Sequence, residues 1–314
     1  MKWFWKLTTV LFALSLSAQT PVAIPDTLDL PTALSYALEN NFAIRQAQQR
    51  IKEQDGLIVE VRSLALPNVS VNASYTELDS GLSEPSQFFS PADNDWRVSL
   101  DVKQALYTGG GVRAALRAQD YLEQAVISDL KATINEAVFL VSVGFYDVLL
   151  AREKIAVQEQ NIQLLEDQLQ DSKNRFEAGA VSQFEVLRSE VELANAQPEL
   201  IRARNGFKIA IEELRQLLGF SGVYLDDLDK VPTFVGSLDF EPVQINLSSA
   251  IEIAKINRPE LQQLELISNA REEGVVIERA GKRPSVDLVG SYQFNKSLSS
   301  SSFSDSRDGW TIGV

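Results

Sequence analysis

This chain repeats itself, and that feature limits its fold more than any other. Residues 29–41 read DLPTALSYALENN and residues 246–258 read NLSSAIEIAKINR. Leu30, Ala33, Ala37 and Asn40 therefore fall on Leu247, Ala250, Ala254 and Asn257, a constant spacing of 217. The same spacing relates Pro67 to Pro284 and Tyr75 to Tyr292, then drops to 214 at Trp96 and Trp310. Three residues are lost in between, where a loop tolerates deletion. A supersecondary unit recurring at a fixed period is the mark of an array, so the unit has to be read first. The 314 residues hold one and a half copies. On that count, about 120 residues of a second copy, with its second long hairpin, are expected beyond Val314.

Each copy opens on Asp29 or Asn246, whose side-chain oxygen suits the N-terminus of the following helix. One polar-faced helix is expected to run on to about Leu64 or Lys282, ended by Pro67 or Pro284. A strand pair follows. Val69, Val71, Ala73 and Tyr75 alternate with Ser70, Asn72, Ser74 and Thr76. Trp96, Val98, Leu100 and Val102 alternate with Arg97, Ser99, Asp101 and Lys103. The strands are placed at 66–77 and 96–106, and their repeats at 284–293 and 309–314. DSGLSEPSQFFSPADND and NKSLSSSSFSDSRD, rich in Ser, Asp, Pro or Gly, are read as long exposed loops between them.

The segment after the second strand is QALYTGGGVRAA. Gly109, Gly110 and Gly111 free the backbone to turn from strand into helix. From Val112 to Ala178 there is no proline and only one interior glycine, Gly144, which gives a helix of about 100 Å at 1.5 Å per residue. Val141, Val148, Ile155, Ile162, Leu169 and Phe176 recur every seven residues, the period of a left-handed supercoil. The partner is the returning helix after a turn at Gly179, with Phe184, Leu187, Val191 and Ala194 read as its seam and Pro198 as a kink. A long helical hairpin over 112–219 completes the first repeat, 26–219. Residues 220–245 form a linker, and the second repeat starts at 246. Glu153, Glu159 and Glu166 read as a solvated face.

Met1 to Lys6 is a short basic start, and Leu7 to Leu16 is an apolar run ending among Ser15, Ser17 and Ala18. That order marks residues 1–18 as a secretory signal peptide. The chain has no Cys and no His, so disulfides, thiolate or triad catalysis and the usual zinc and copper sites are excluded. No catalytic residues, metal or cofactor are assigned. Against 43 Asp and Glu stand 29 Lys and Arg, a net charge of −14 that argues against nucleic acid as a partner. GGG lacks the Lys-Ser/Thr of a phosphate loop.

Past residue 20 the most apolar helical stretch, 137–151, contains Ser142, Tyr146 and Asp147 and is not read as a membrane span. Membrane contact therefore falls to strands, because only helices and closed barrels satisfy the backbone in lipid. Tyr75, Trp96, Tyr292 and Trp310 fit aromatic girdles, and Arg97, Asp101, Lys103 and Asp287 fit an aqueous lumen. Four strands cannot close a cylinder when the smallest membrane barrels need about eight, so the barrel has to be shared between chains.

The paired helix openings, NRPELQQ, LPNVSVNASY, RPSVDLVGSY, QALYTGGG and RFEAGAVSQFEVL together resemble the TolC family of outer-membrane efflux proteins, from Leu28 to Val314. The resemblance implies a mixed α and β membrane protein. Its long antiparallel helical hairpins form a coiled-coil tunnel continuous with transmembrane β-strands, which make a 12-stranded barrel shared by a homotrimer. It implies an outer-membrane location reaching into the periplasm, and passive conduction in a tripartite efflux or type I secretion system. The implied partners are a periplasmic adaptor, an inner-membrane pump of the proton-driven or ABC type, and outer-membrane lipid. RFEAGAVSQFEVL matches the adaptor-docking tip, which assigns Phe176, Ala178, Gly179, Ala180, Val181 and Ser182 to docking. The family often has proline where Ala105 stands and a larger apolar residue where Ala180 stands. The competing reading is a periplasmic coiled-coil adaptor or scaffold that never enters lipid.

Overall fold

The computed structural model describes residues 26–77, 94–220, 231–240, 242–299 and 302–314. The signal segment and most of the loop between the first two strands lie outside these. In chain order the elements are β1 (Thr27–Leu28), α1 (Leu30–Asn40), α2 (Phe42–Ser63), β2 (Asn68–Glu77), β3 (Asn94–Tyr107), α3 (Gly111–Glu177), α4 (Gln183–Leu218), β4 (Thr233–Phe234), α5 (Leu247–Asn257), α6 (Pro259–Ala280), β5 (Val286–Ser299) and β6 (Ser302–Gly313).

The opening residue of each repeat caps its helix. Asp29 accepts from the Thr32 N–H at 3.0 Å, and Asn246 accepts from the Ser248 and Ser249 N–H groups at 3.0 and 3.3 Å. The single helix expected after each cap is two helices, which corrects that reading. In the first copy Asn41 leaves the helical conformation and caps α2 by accepting from Ala43 and Ile44, while its Nδ2 donates to the Leu217 carbonyl at 2.7 Å. In the second copy Pro259 starts α6 and holds Arg258 extended.

α3 is 67 residues long, and α4 runs through Pro198 without interruption. The two pack as an antiparallel hairpin. From α3 the inward seam is Val148, Ala151, Ile155, Ile162, Leu165 and Leu169. From α4 it is Val186, Ser189, Leu193, Ala196 and Ala203, with Ser172 and Ser189 in hydroxyl contact at 3.1 Å. This overturns the α4 seam read from sequence: Phe184, Leu187, Val191 and Ala194 are exposed. Both sets have three-and-four spacing. Ser189, Ala196 and Ala203 on the inward set let the two backbones approach.

The core lies where α1 crosses the hairpin. Ala33 and Ala37 meet Val141, Phe145, Val148 and Leu149 of α3 and Ile211, Leu214 and Leu218 of α4. The parallel β1–β4 pair closes the cluster with Leu28 and Phe234. α3 also contains a stretch long and apolar enough to cross a membrane by length and composition, contrary to the reading that no such helix exists. In this fold Val141, Phe145, Val148 and Leu149 of that region are the core itself.

α2 and α6 flank the N-terminal part of α3 and are tied to it by ion pairs. Arg117 donates to both Glu273 oxygens, at 2.8 and 2.6 Å. Asp129 accepts from Arg50 at 3.0 Å and from Gln263 at 3.2 Å. α5 repeats the α1 pattern but buries nothing among the described residues.

The remaining strands form one antiparallel sheet in the order β2-β3-β5-β6. β5 and β6 occupy most of NKSLSSSSFSDSRD, which was read as a loop; their pairing runs from Val289↔Gly313 to Ser299↔Ser302. Alternation of serine with polar and aromatic residues is compatible with a sheet once a neighbouring strand supplies backbone partners.

Candidate functional site: a two-faced sheet and an exposed hairpin tip

The register sorts the sheet into two chemistries. One face carries Val69, Val71, Ala73 and Tyr75 of β2 beside Val102, Leu100, Val98 and Trp96 of β3. Tyr292 and Phe294 of β5 and Trp310 and Ile312 of β6 continue it. Tyr75 lies opposite Trp96, with ring centroids 4.8 Å apart, and Tyr292 lies opposite Trp310. All four aromatic candidates therefore share one face. The pairs sit at different levels, since Tyr292 aligns with Leu100, four residues along β3 from Trp96.

The other face is hydrophilic and brings Arg97, Asp101, Lys103 and Asp287 together. Lys103 pairs with Asp287 at 3.1 Å and Arg97 with Asp95 at 3.8 Å. Asp101 accepts from Asn72 at 2.9 Å, Ser99 at 2.8 Å and Ser291 at 2.6 Å, three uncharged donors from three strands. Arg97 Nε donates to Asn295 Oδ1 at 3.3 Å. Asn72 and Ser99 were legible as the polar half of an alternating pattern. Ser291 and Asn295 were not, because only the β3–β5 register brings them opposite residues some 190 positions away.

The strand-to-helix turn sets the angle between sheet and hairpin. Gly109 and Gly110 have φ of +62° and +90°. A Cβ on Gly109 would come within 2.8 Å of the Ala280 carbonyl and 2.9 Å of Arg283 Cβ, and one on Gly111 would come within 3.2 Å of Ala280 Cβ. Arg283 Nη1 donates to the Gly109 carbonyl at 3.0 Å, pinning the strand entry of the second repeat to the strand exit of the first.

At the far end of the hairpin Gly179 takes φ +74°. Its N–H bonds the Phe176 carbonyl at 2.9 Å, and the Ala180 N–H bonds Arg175 at 2.8 Å, which closes the last turn of α3. Ala178, Gly179, Ala180 and Ser182 are exposed and Val181 is half-buried. Phe176 and Phe184, both placed in the seam by the sequence reading, are exposed. Nothing lies within 4 Å of a Cβ built on Gly179.

A sheet with one apolar and one charged face, joined through a glycine turn to a helical hairpin, is a build shared with solved outer-membrane channels. The crystal structure of the Campylobacter jejuni CmeC outer membrane channel superposes with a TM-score of 0.70 at 18% identity, over 96% of this chain and 66% of that one. The family described as "Outer membrane efflux protein" matches residues 33–220. The chain belongs to this family, the TolC family, and is an outer-membrane protein. It is 23% identical to Escherichia coli outer membrane protein TolC over 98% of this chain and 59% of that protein. It is also 26% identical to the cobalt-zinc-cadmium resistance protein CzcC of Cupriavidus metallidurans, over 61% of this chain and 42% of the relative. The chain spans about half the length of the curated relatives it matches.

Proposed function

We propose that this chain is a subunit of a homotrimeric outer-membrane duct in a tripartite efflux or type I secretion system. The single observation that carries the reading is the open four-stranded sheet, apolar on one face and charged on the other, with β2 and β6 as unpaired edges. In lipid each unpaired edge would leave a row of unsatisfied backbone groups. Three copies close twelve strands, with Tyr75, Trp96, Tyr292 and Trp310 facing lipid and Arg97, Asp101, Lys103 and Asp287 facing water. Placing the charged face toward lipid instead would cost roughly 2 to 4 kcal/mol per Lys or Arg at mid-membrane.

The helices support the same reading. α3 exposes a second apolar stripe, Phe139, Val143, Tyr146, Leu150, Val157 and Leu164, and α4 exposes Phe184, Leu187, Val191 and Ile201. Each helix thus carries one seam for its own partner and one for a neighbouring hairpin, as a tube of helices requires. Substrates would pass from an inner-membrane pump, proton-driven or ABC type, through a periplasmic adaptor docked at Phe176, Ala178, Gly179, Ala180, Val181 and Ser182. Conduction needs no catalytic group, and none is assigned.

Alkaline washing of membranes from cells making the full-length protein tests the reading. A shared barrel stays in the membrane until detergent releases it, as a trimer. Release by alkali would favour the periplasmic adaptor or scaffold instead.

A further inference from the structure

The repeat fixes more than the number of copies needed: it specifies which residues meet where one copy joins the next. Its strand pair is β2–β3 in the first half and β5–β6 in the second, and each half uses the same internal register, Tyr75 opposite Trp96 and Tyr292 opposite Trp310. Between the halves, β3 pairs with β5. Going around the cylinder, the next junction joins β6 to β2 of a neighbouring copy, and in the repeat this is the same junction as β3–β5.

We infer that the copies join in the β3–β5 register, which sets Val314 of one copy opposite Tyr75 of the next, Gly313 opposite Thr76 and Ile312 opposite Glu77. The correspondence follows residue by residue. Leu100, Ser99 and Val98 lie 214 positions before Val314, Gly313 and Ile312, while Tyr292, Gln293 and Phe294 lie 217 positions after Tyr75, Thr76 and Glu77. Within the chain Leu100 faces Tyr292, Ser99 faces Gln293 and Val98 faces Phe294.

The side chains agree with the count. One row of the apolar face reads Leu100–Tyr292–Trp310 across β3, β5 and β6. The corresponding row of the first half has its tyrosine and tryptophan, Tyr75 and Trp96, with no aliphatic residue on the β2 side. Val314 of the neighbouring copy completes it. Cross-strand aliphatic–aromatic pairs of this type favour one register over its neighbours. A slip by one residue would turn the apolar set of a whole strand inward.

The inference rests on the shared-barrel reading, and the test separates the two. The 314 residues contain no cysteine, so within them each introduced pair is the only one. Two double variants of the full-length protein, Thr76→Cys with Gly313→Cys and Tyr75→Cys with Val314→Cys, are oxidised in outer membranes and run without reductant. Neighbouring positions alternate between hydrogen-bonded and closer non-hydrogen-bonded pairs, so one of the two variants presents the closer geometry. The expected result is linked dimers and trimers from at least one of these pairs, and none from Ser74→Cys with Gly313→Cys, which is two residues out of register. Linking through the Ser74 pair would overturn the register while leaving the shared barrel standing. So would trimers that link through none of the three. Alkali-soluble monomers would remove the barrel itself.

Discussion

Gly219 and Gly56 show how differently two glycines can be used. Gly219 ends α4 at φ +85°, and a Cβ there would lie 2.2 Å from the Asn40 carbonyl oxygen, at the joint where Asn41 caps α2 and reaches back to Leu217. Gly56 sits inside α2 with nothing within 4 Å. Gly219→Ala should cost about 2 kcal/mol or more, from the left-handed backbone and the clash together. Gly56→Ala should gain about 0.5 to 1 kcal/mol. The unfolding midpoint of the detergent-solubilised protein should fall for the first and rise for the second. Protonation acts at the same scale. Hydrogen bonding from the Thr32 side chain, and then from the Thr32 N–H, holds the Asp29 carboxyl below the ordinary carboxylate range; the Arg117 guanidinium does the same to Glu273. Both pKa values are lower folded than unfolded. Their contributions are therefore fully present above the unfolded carboxylate range and are lost as pH falls through the folded values. Glu273→Gln should flatten the decline of the melting midpoint with acid, while Asp29→Asn should keep the cap, as Asn246 does in the second repeat, without its pH dependence.

At the scale of the elements, the sequence revealed kinds of structure better than orientations. The caps at Asp29 and Asn246, strand alternation, the glycine turn and the 67-residue helix are all local, and all were legible. The inward face of α4 was not. Phe184-Leu187-Val191 and Val186-Ser189-Leu193-Ala196 are both three-and-four stripes, and hydrophobicity favours the first, whereas close helix approach favours the second. A helix with two seams defeats any rule that expects one apolar stripe. The same ambiguity hid the break at Asn41, whose second role needs the Leu217 carbonyl far along the chain. α1 and α5 share a sequence pattern, yet only α1 buries it, so burial comes from the partner and not from the helix. Ala196→Asp should therefore unpack the hairpin, seen as lost helical signal on heating. Val191→Asp should leave that signal intact and reduce the yield of trimer. The tip makes its own prediction. Gly179 has a φ that β-carbon-bearing residues seldom adopt, so a crosslinking thiol belongs on exposed Ala180. Ala180→Cys carrying a photoreactive group should capture the adaptor from the periplasm, and a trimer that captures nothing there would end the tip assignment.

For the whole molecule, the proposed duct would owe its ion preference to the charges on the sheet's polar face. Most of the candidate charges come in pairs: Lys103 is matched by Asp287 and Arg97 by Asp95. Asp101 is different, because its three donors, Asn72, Ser99 and Ser291, are all uncharged and leave its negative charge standing. In a trimer this makes a ring of three carboxylates at one level of the lumen, and a ring of that kind concentrates cations and repels anions. The carboxylate site was visible from sequence only as one polar residue among four on an alternating strand; its isolation depends on a register joining three strands. Asp101→Asn preserves shape and hydrogen bonding while removing the ring. In planar bilayers under a salt gradient, the reversal potential of the open channel should move toward the non-selective value. Asp287→Asn should move it the same way by unpairing Lys103, whereas Glu166→Gln, on the hairpin, should leave it in place. If Asp101→Asn left the potential unchanged in a conducting channel, the polar face would not line the path.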